Sequence, residues 1–129
     1  MVNCAAVAAL PLALVLSGCT SAGEAAARMA GDRFQTALRD HDLTGACQLL
    51  SEEARDKLES GSGKPCPIAL ADVDLPTGTA NSIEVWGDNA QVRLNPGVLF
   101  LAEFREGWKV TAAGCQPRPD MPYDCDVEG

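Results

Sequence analysis

The stretch SIEVWGDNAQVRL, residues 82–94, alternates apolar and polar side chains on both sides of a Gly-Asp-Asn turn. Alternation with a period of two is typical of strands that bury one face, and the turn residues between two such runs predict a hairpin. A second turn at residues 95–97 leads into the apolar stretch Val98–Phe104, and a third at residues 105–107 leads into Trp108–Ala112. Four strands joined by short turns predict an antiparallel meander.

Helical periodicity dominates the chain before this meander. From Glu24 to Asp40, apolar residues recur at spacings of three and four, and the charged residues lie away from them. Asp42 or Thr44 is a suitable N-cap for a second, shorter helix, and Ser51, followed by two glutamates, predicts the start of a third. Helices followed by a curved, four-stranded antiparallel sheet predict an α+β domain of two layers.

The length and the charge of the chain exclude several classes of protein. A chain of 129 residues allows one domain, with or without a processed leader. It carries 10 Lys and Arg residues against 18 Asp and Glu residues, which gives a net charge of −8. Nucleic acid is therefore excluded as the expected partner, because phosphate binding needs a basic face.

The N-terminal segment differs sharply in composition from the rest. The first 18 residues contain no charged side chain, whereas all 28 charged residues lie from Glu24 onward. The run Ala5–Leu16, apolar except for one proline, is shorter than the ~20 residues that span a bilayer and fits the apolar region of a signal peptide. An ordinary signal peptide cut nearby and a membrane-buried N-terminal segment are the alternatives. The basic residues that usually precede such a run are absent.

The run ends in Leu16-Ser17-Gly18-Cys19, and at this point the chain resembles bacterial lipoproteins. Their lipobox is an apolar residue, two small residues and a cysteine whose thiol receives diacylglycerol before cleavage. The resemblance implies a signal peptide at residues 1–18, a lipidated Cys19 and a short tether at residues 19–23. It also implies export and lipid anchoring at the extracytoplasmic face of the cell membrane. Because the domain is acidic, we expect anionic lipid to repel it, so that it stands off the surface.

Four cysteines remain once Cys4 is assigned to the leader and Cys19 to the lipid. An even number in an exported chain predicts disulfides, and three pairings are possible. We favour Cys47–Cys66 and Cys115–Cys125, because each pair is local and encloses turn residues. Each loop should stabilise the fold by roughly 3 kcal/mol. A zinc site is disfavoured, since the chain has no Cys-x-x-Cys and a single histidine.

The Pro-rich, acidic segment 116–129 is expected to be an irregular tail tied down by Cys125, which leaves residues 24–115 as the α+β domain. No residue matches a catalytic or metal-binding motif, so we predict no catalytic residue, metal or cofactor. His41 ends the first helix, where a histidine is favourable near the helix dipole; a catalytic base is the less favoured interpretation.

The aromatic side chains are expected mainly to fill the core of so small a domain. If the sheet curves, some of them could line its concave face. We therefore name one candidate pocket for a small apolar ligand or a partner segment. Its residues are Phe34, His41, Trp86, Phe100 and Trp108.

The order of helices and strands also resembles the nuclear transport factor 2-like fold, in which N-terminal helices close one mouth of a cone-shaped sheet. Residues 46–50, 64–66 and 108–115 resemble small, mostly uncharacterised lipoproteins of actinobacteria. These resemblances imply a non-catalytic, membrane-anchored envelope lipoprotein that binds a partner protein or a small apolar ligand. The alternatives are a cone-fold enzyme, isomerase-like or dehydratase-like, with an apolar pocket, and a structural subunit of an envelope complex.

Overall fold

A computed structural model describes residues 22–129, which form four helices followed by six strands. The helices are α1 (Ala22–Arg39), α2 (Leu43–Leu49), α3 (Glu52–Ser62) and α4 (Cys66–Val73). The strands are β1 (Thr79–Trp86), β2 (Asn89–Asn95), β3 (Val98–Phe104), β4 (Gly107–Arg118), β5 (Met121–Asp124) and β6 (Val127–Glu128). The fold class is α+β, as the sequence predicts.

The three predicted helices are present, and local caps explain where two of them begin. Asp42 and Ser51 each accept a hydrogen bond from the backbone N–H three residues further on, at 3.0 and 3.2 Å. The helix α4 was not predicted, because its sequence CPIALADV is short and almost uniformly apolar. Its first N–H, that of Cys66, donates to Glu59 Oε2 of α3 at 3.0 Å, so a contact from another helix caps α4.

The strands β1 to β4 pair in chain order and antiparallel, which confirms the predicted meander. The register aligns Val85, Ala90, Leu101 and Val110 in one row across the four strands. These side chains are buried or half-buried on the face that the helices cover, which we call the helix face. The opposite face is called the outer face. The predicted alternation thus places one apolar set of side chains in the core.

The prediction of four strands and an irregular tail was wrong for residues 116–129. The strand β4 continues to Arg118, beyond the predicted boundary after Cys115, and β5 folds back on it with Gln116 opposite Asp124. The strand β6 pairs with Ala112 and Ala113 of β4. Prolines suggested irregular structure, but a strand at the edge of a sheet tolerates a residue without an N–H.

The main core lies between α1 and the sheet. The helix α1 contacts β1, β2, β3 and β4, and its Phe34 is fully buried in this core together with Leu99 and Leu101. The segment between α2 and α3 covers the edge of β4, since Ser51 N–H donates to Val110 O at 2.8 Å. The backbone carbonyl of Val110 at this edge is therefore paired.

A smaller cluster lies on the outer face. Phe100 and Tyr123 form an edge-to-face ring contact with centroids 5.1 Å apart, and they pack with the buried Cys115. The Tyr123 hydroxyl accepts a hydrogen bond from Gln91 Nε2 at 3.2 Å. The strand β5 thus covers part of the sheet face that the helices leave open.

The structure contains two disulfides, Cys47–Cys66 and Cys115–Cys125, which are the two local pairs that we favoured. The first joins α2 to α4, and its two cysteines are buried at 5% and 3% exposure. The second joins the end of β4 to the segment that follows β5. The first disulfide therefore ties α4 to the main core, and the second ties the C-terminal segment to the cluster on the outer face.

Candidate functional site

The candidate pocket residues lie in different environments. Phe34 and Trp108 are buried in the main core, whereas Phe100 lies in the cluster on the outer face. Trp86 is 50% exposed at the end of β1, and His41 is exposed after the end of α1. The structure brings Phe34 and Trp108 into one core and leaves the other three apart, so these five side chains do not line a common cavity.

The helix face of the sheet is filled by side chains. Between α1 and the β2–β3 turn, the space around Phe34 and Leu99 leaves no room for a water molecule. The polar side chain buried nearby, Gln35, is used structurally: its Oε1 accepts from Gly78 N–H at 2.9 Å. The predicted concave surface is therefore a packed core.

His41 lies in the turn between α1 and α2, where it adopts a left-handed conformation with φ of 56°. Its backbone N–H donates to Leu38 O at 3.2 Å, which closes the last turn of α1. The His41 side chain is exposed in this turn. Among residues 22–129, no histidine and no carboxylate is buried.

A cleft with a volume of about 760 Å³ lies beside α3; we call it the α3 cleft. Its walls are the α2–α3 junction, α3, the β3–β4 turn and the edge of β4. The lining residues are Gln48, Leu50, Ser51, Glu52, Glu53, Arg55, Asp56, Lys57, Ser60, Phe104, Glu106, Lys109, Thr111 and Gly129.

Charges of both signs surround the α3 cleft. Lys109 Nζ donates to Gln48 O at 2.9 Å and so ties β4 to the end of α2. Lys57 pairs with Glu53 at 3.4 Å along α3, and both side chains are more than half exposed. Such exposed pairs contribute little to stability, so these charges are free to exchange partners with a bound molecule.

Sequence reasoning missed the α3 cleft because its walls come from separate parts of the chain. Gln48 and Lys109, which meet in it, are 61 residues apart in sequence. The only local signal was the Ser51 cap with its two glutamates, which marks the start of α3 and says nothing about what faces it.

A second, shallower groove of about 660 Å³ runs along the exposed side of α1 beside α2. Met29, 53% exposed, lies in it between charged residues of α1. No cluster of three or more potential metal-binding side chains occurs within residues 22–129.

The predicted lipobox, Leu16-Ser17-Gly18-Cys19, and the predicted signal peptide lie outside the described residues. The helix α1 begins at Ala22, so three residues from Cys19 to Ser21 separate the predicted lipid from the folded domain. Within residues 22–129, none of the helices combines the length and the hydropathy needed to cross a membrane.

No known protein family, curated protein or solved structure matches this chain.

Proposed function

We propose that this protein is a non-catalytic envelope lipoprotein, anchored through Cys19 at the extracytoplasmic face of the cytoplasmic membrane, that binds a partner protein. The observation that carries the proposal is the lipobox-like Leu16-Ser17-Gly18-Cys19 at the end of an uncharged leader, three residues before the first helix of a folded domain. The two disulfides support it, because such bonds persist mainly in oxidising compartments outside the cytoplasm.

The α3 cleft is the binding site that we assign to this function. Its volume is in the range of ligand sites, but its walls carry more charged than apolar side chains. Small apolar ligands bind in mostly apolar, enclosed cavities, and the filled helix face offers none beside Phe34. A polar, charged segment of a partner protein therefore suits this cleft better than a small apolar ligand.

The two alternatives have less support. A cone-fold enzyme needs an acid or base in an apolar pocket, whereas His41 is exposed and no carboxylate of residues 22–129 is buried. A structural subunit needs a contiguous apolar patch. Five large apolar side chains of the described residues are exposed, and only two of them, Trp86 and Phe104, share one end of one sheet face. The other three are Met29, Ile68 and Met121.

We further propose that the sheet is the bent sheet of a nuclear transport factor 2-like fold. Helices cover one of its faces, and the meander carries register shifts at Ala80/Ser82 and on both sides of Phe100. Bulges of this kind bend a strand and increase its twist. A bent sheet closed by N-terminal helices is the arrangement that this fold requires.

The intact mass of the protein extracted from its native envelope tests the anchor. We expect a mass that begins at Cys19 and includes acyl chains, and reduction should add two hydrogens for each of two disulfides. The Cys19→Ser variant, which removes the acceptor thiol and keeps the rest of the lipobox, should carry no acyl chain. An unacylated mass for the unmodified protein would overturn the proposed anchoring.

Photo-crosslinking tests the assigned binding site. A photoreactive residue at Asp56, which lines the α3 cleft, should cross-link one specific envelope protein in intact cells. The same residue at Asp120, exposed in the β4–β5 turn, is the matched control and should not. Equal labelling from both positions, or labelling from neither, would contradict the assignment of the α3 cleft.

A further inference from the structure

The first turn of α1 lies at one particular end of the sheet. A Cβ at Gly23 would be 3.9 Å from Trp108 Cζ2 and 4.0 Å from Val85 Cγ1, so α1 begins beside the β1–β2 and β3–β4 turns. Towards its other end, α1 reaches the start of β1, where Arg39 Nη1 donates to Gly78 O at 3.5 Å. We call the end that contains Ala22, residues 86–89 and residues 104–107 the anchor-side end.

Two exposed aromatic side chains occupy this end. Of the six aromatic residues in the chain, all within the described part, only Trp86 and Phe104 are exposed, at 50% and 44%. Trp86 pairs with Asn89 and Asn89 with Ala102, so these residues share the outer face. Phe104 lies two residues beyond Ala102 on β3 and therefore points to the same face.

The predicted tether brings this end close to the membrane. Only three residues, Cys19 to Ser21, precede α1, and a fully extended chain spans at most ~3.6 Å per residue, or roughly 11 Å in all. A lipid on Cys19 therefore holds the anchor-side end within roughly 11 Å of the lipidated residue, close enough for exposed side chains at this end to reach the headgroup region.

We infer that Trp86 and Phe104 dock into the headgroup region of the membrane that holds the lipid anchor, so that the domain stands upright on its anchor-side end. This inference rests on the proposed lipid anchoring. Tryptophan is enriched at membrane–water interfaces, because one part of its ring system is apolar and the other donates a hydrogen bond. Phe104 adds a second apolar contact two strands away on the same face. It also lines the α3 cleft, so a partner bound in that cleft would lie next to the membrane surface.

The charges at this end define the kind of lipid that it accepts. Asp88, Glu103 and Glu106 are exposed there against one exposed basic residue, Arg105. Anionic headgroups repel such a surface within a Debye length. The docking surface therefore favours zwitterionic lipid, which does not repel the three carboxylates beside Trp86 and Phe104.

Fluorescence quenching tests the inference with the full lipoprotein reconstituted in vesicles of phosphatidylcholine brominated on its acyl chains. Trp86 emission should be quenched and shifted to the blue relative to unbrominated vesicles. The Trp86→Phe variant is the matched control: it keeps only Trp108, which is 7% exposed at the same end of the sheet, so its quenching measures what proximity alone contributes. Quenching of the unmodified protein should exceed that value. Adding phosphatidylglycerol at low salt should reduce the quenching, and adding salt should restore it.

Mass spectrometry of the same sample separates the two proposals. Quenching of Trp86 in protein that carries acyl chains supports the docking. Acylated protein without quenching overturns the docking and leaves the anchor intact. Protein without acyl chains overturns the anchor and with it the inference.

Discussion

Replacing Phe34 with alanine is expected to lower the free energy of unfolding by about 3–5 kcal/mol. Phe34 is fully buried at the middle of α1, between this helix and the sheet. Truncating its ring removes apolar contacts and leaves a cavity where the space is now filled. The measurement is urea-induced unfolding with both disulfides intact.

The control for this prediction lies on the same helix. Met29 is 53% exposed, so Met29→Ala should change the free energy of unfolding by less than about 0.5 kcal/mol. Both variants keep a good helix former in α1, and alanine has the highest helix propensity. Equal destabilisation by the two substitutions would show that α1 does not pack against the sheet through Phe34.

Most of the helices in this fold could be predicted from local sequence patterns. Phe34 and Leu38 recur at helical spacing with small apolar residues, and Ser51 caps α3 as predicted. The helix α4 was missed, because its N-terminus is capped by Glu59 from α3 and not by a neighbouring residue. A cap that arrives from another helix leaves no signature in a local pattern.

The strands, too, were predicted where the signal is local and missed where it depends on residues far away in sequence. Alternation around Gly87 placed β1 and β2 correctly, because one face of that hairpin is buried. The strands β5 and β6 were missed, because β5 contains Pro122 and β6 has only two residues, so neither shows a clear alternation of apolar and polar side chains. Their pairing depends on the edge of β4, which only the folded chain brings to them.

The candidate site was harder to predict from the sequence than the fold was. Five residues were grouped because aromatic side chains and one histidine suit a pocket, but composition does not say which face of the sheet each one occupies. Phe34 lies on the helix face and Phe100 on the outer face. No local sequence pattern predicts that the Phe100 ring contacts the Tyr123 ring. The α3 cleft arises only where distant segments such as Gln48 and Lys109 meet.

Removing the Cys47–Cys66 disulfide by replacing both residues with alanine is expected to cost about 3 kcal/mol of stability. The bond closes a loop with a sequence separation of 19, and opening it restores conformational freedom to the unfolded chain. Alanine suits both positions, because the cysteines are buried and a serine hydroxyl would need a partner there. Urea unfolding under oxidising conditions measures the difference.

The second disulfide provides the comparison. The Cys115–Cys125 loop has a sequence separation of 10, so its removal should cost only a few tenths of a kcal/mol less than removal of the first. Reducing both bonds should then cost about 6 kcal/mol, against a total stability of about 5–15 kcal/mol for a domain of this size. A reductant should therefore lower the urea midpoint of unfolding strongly. An unchanged urea midpoint in reductant would show that the fold does not depend on oxidation. The disulfides would then no longer support an extracytoplasmic location.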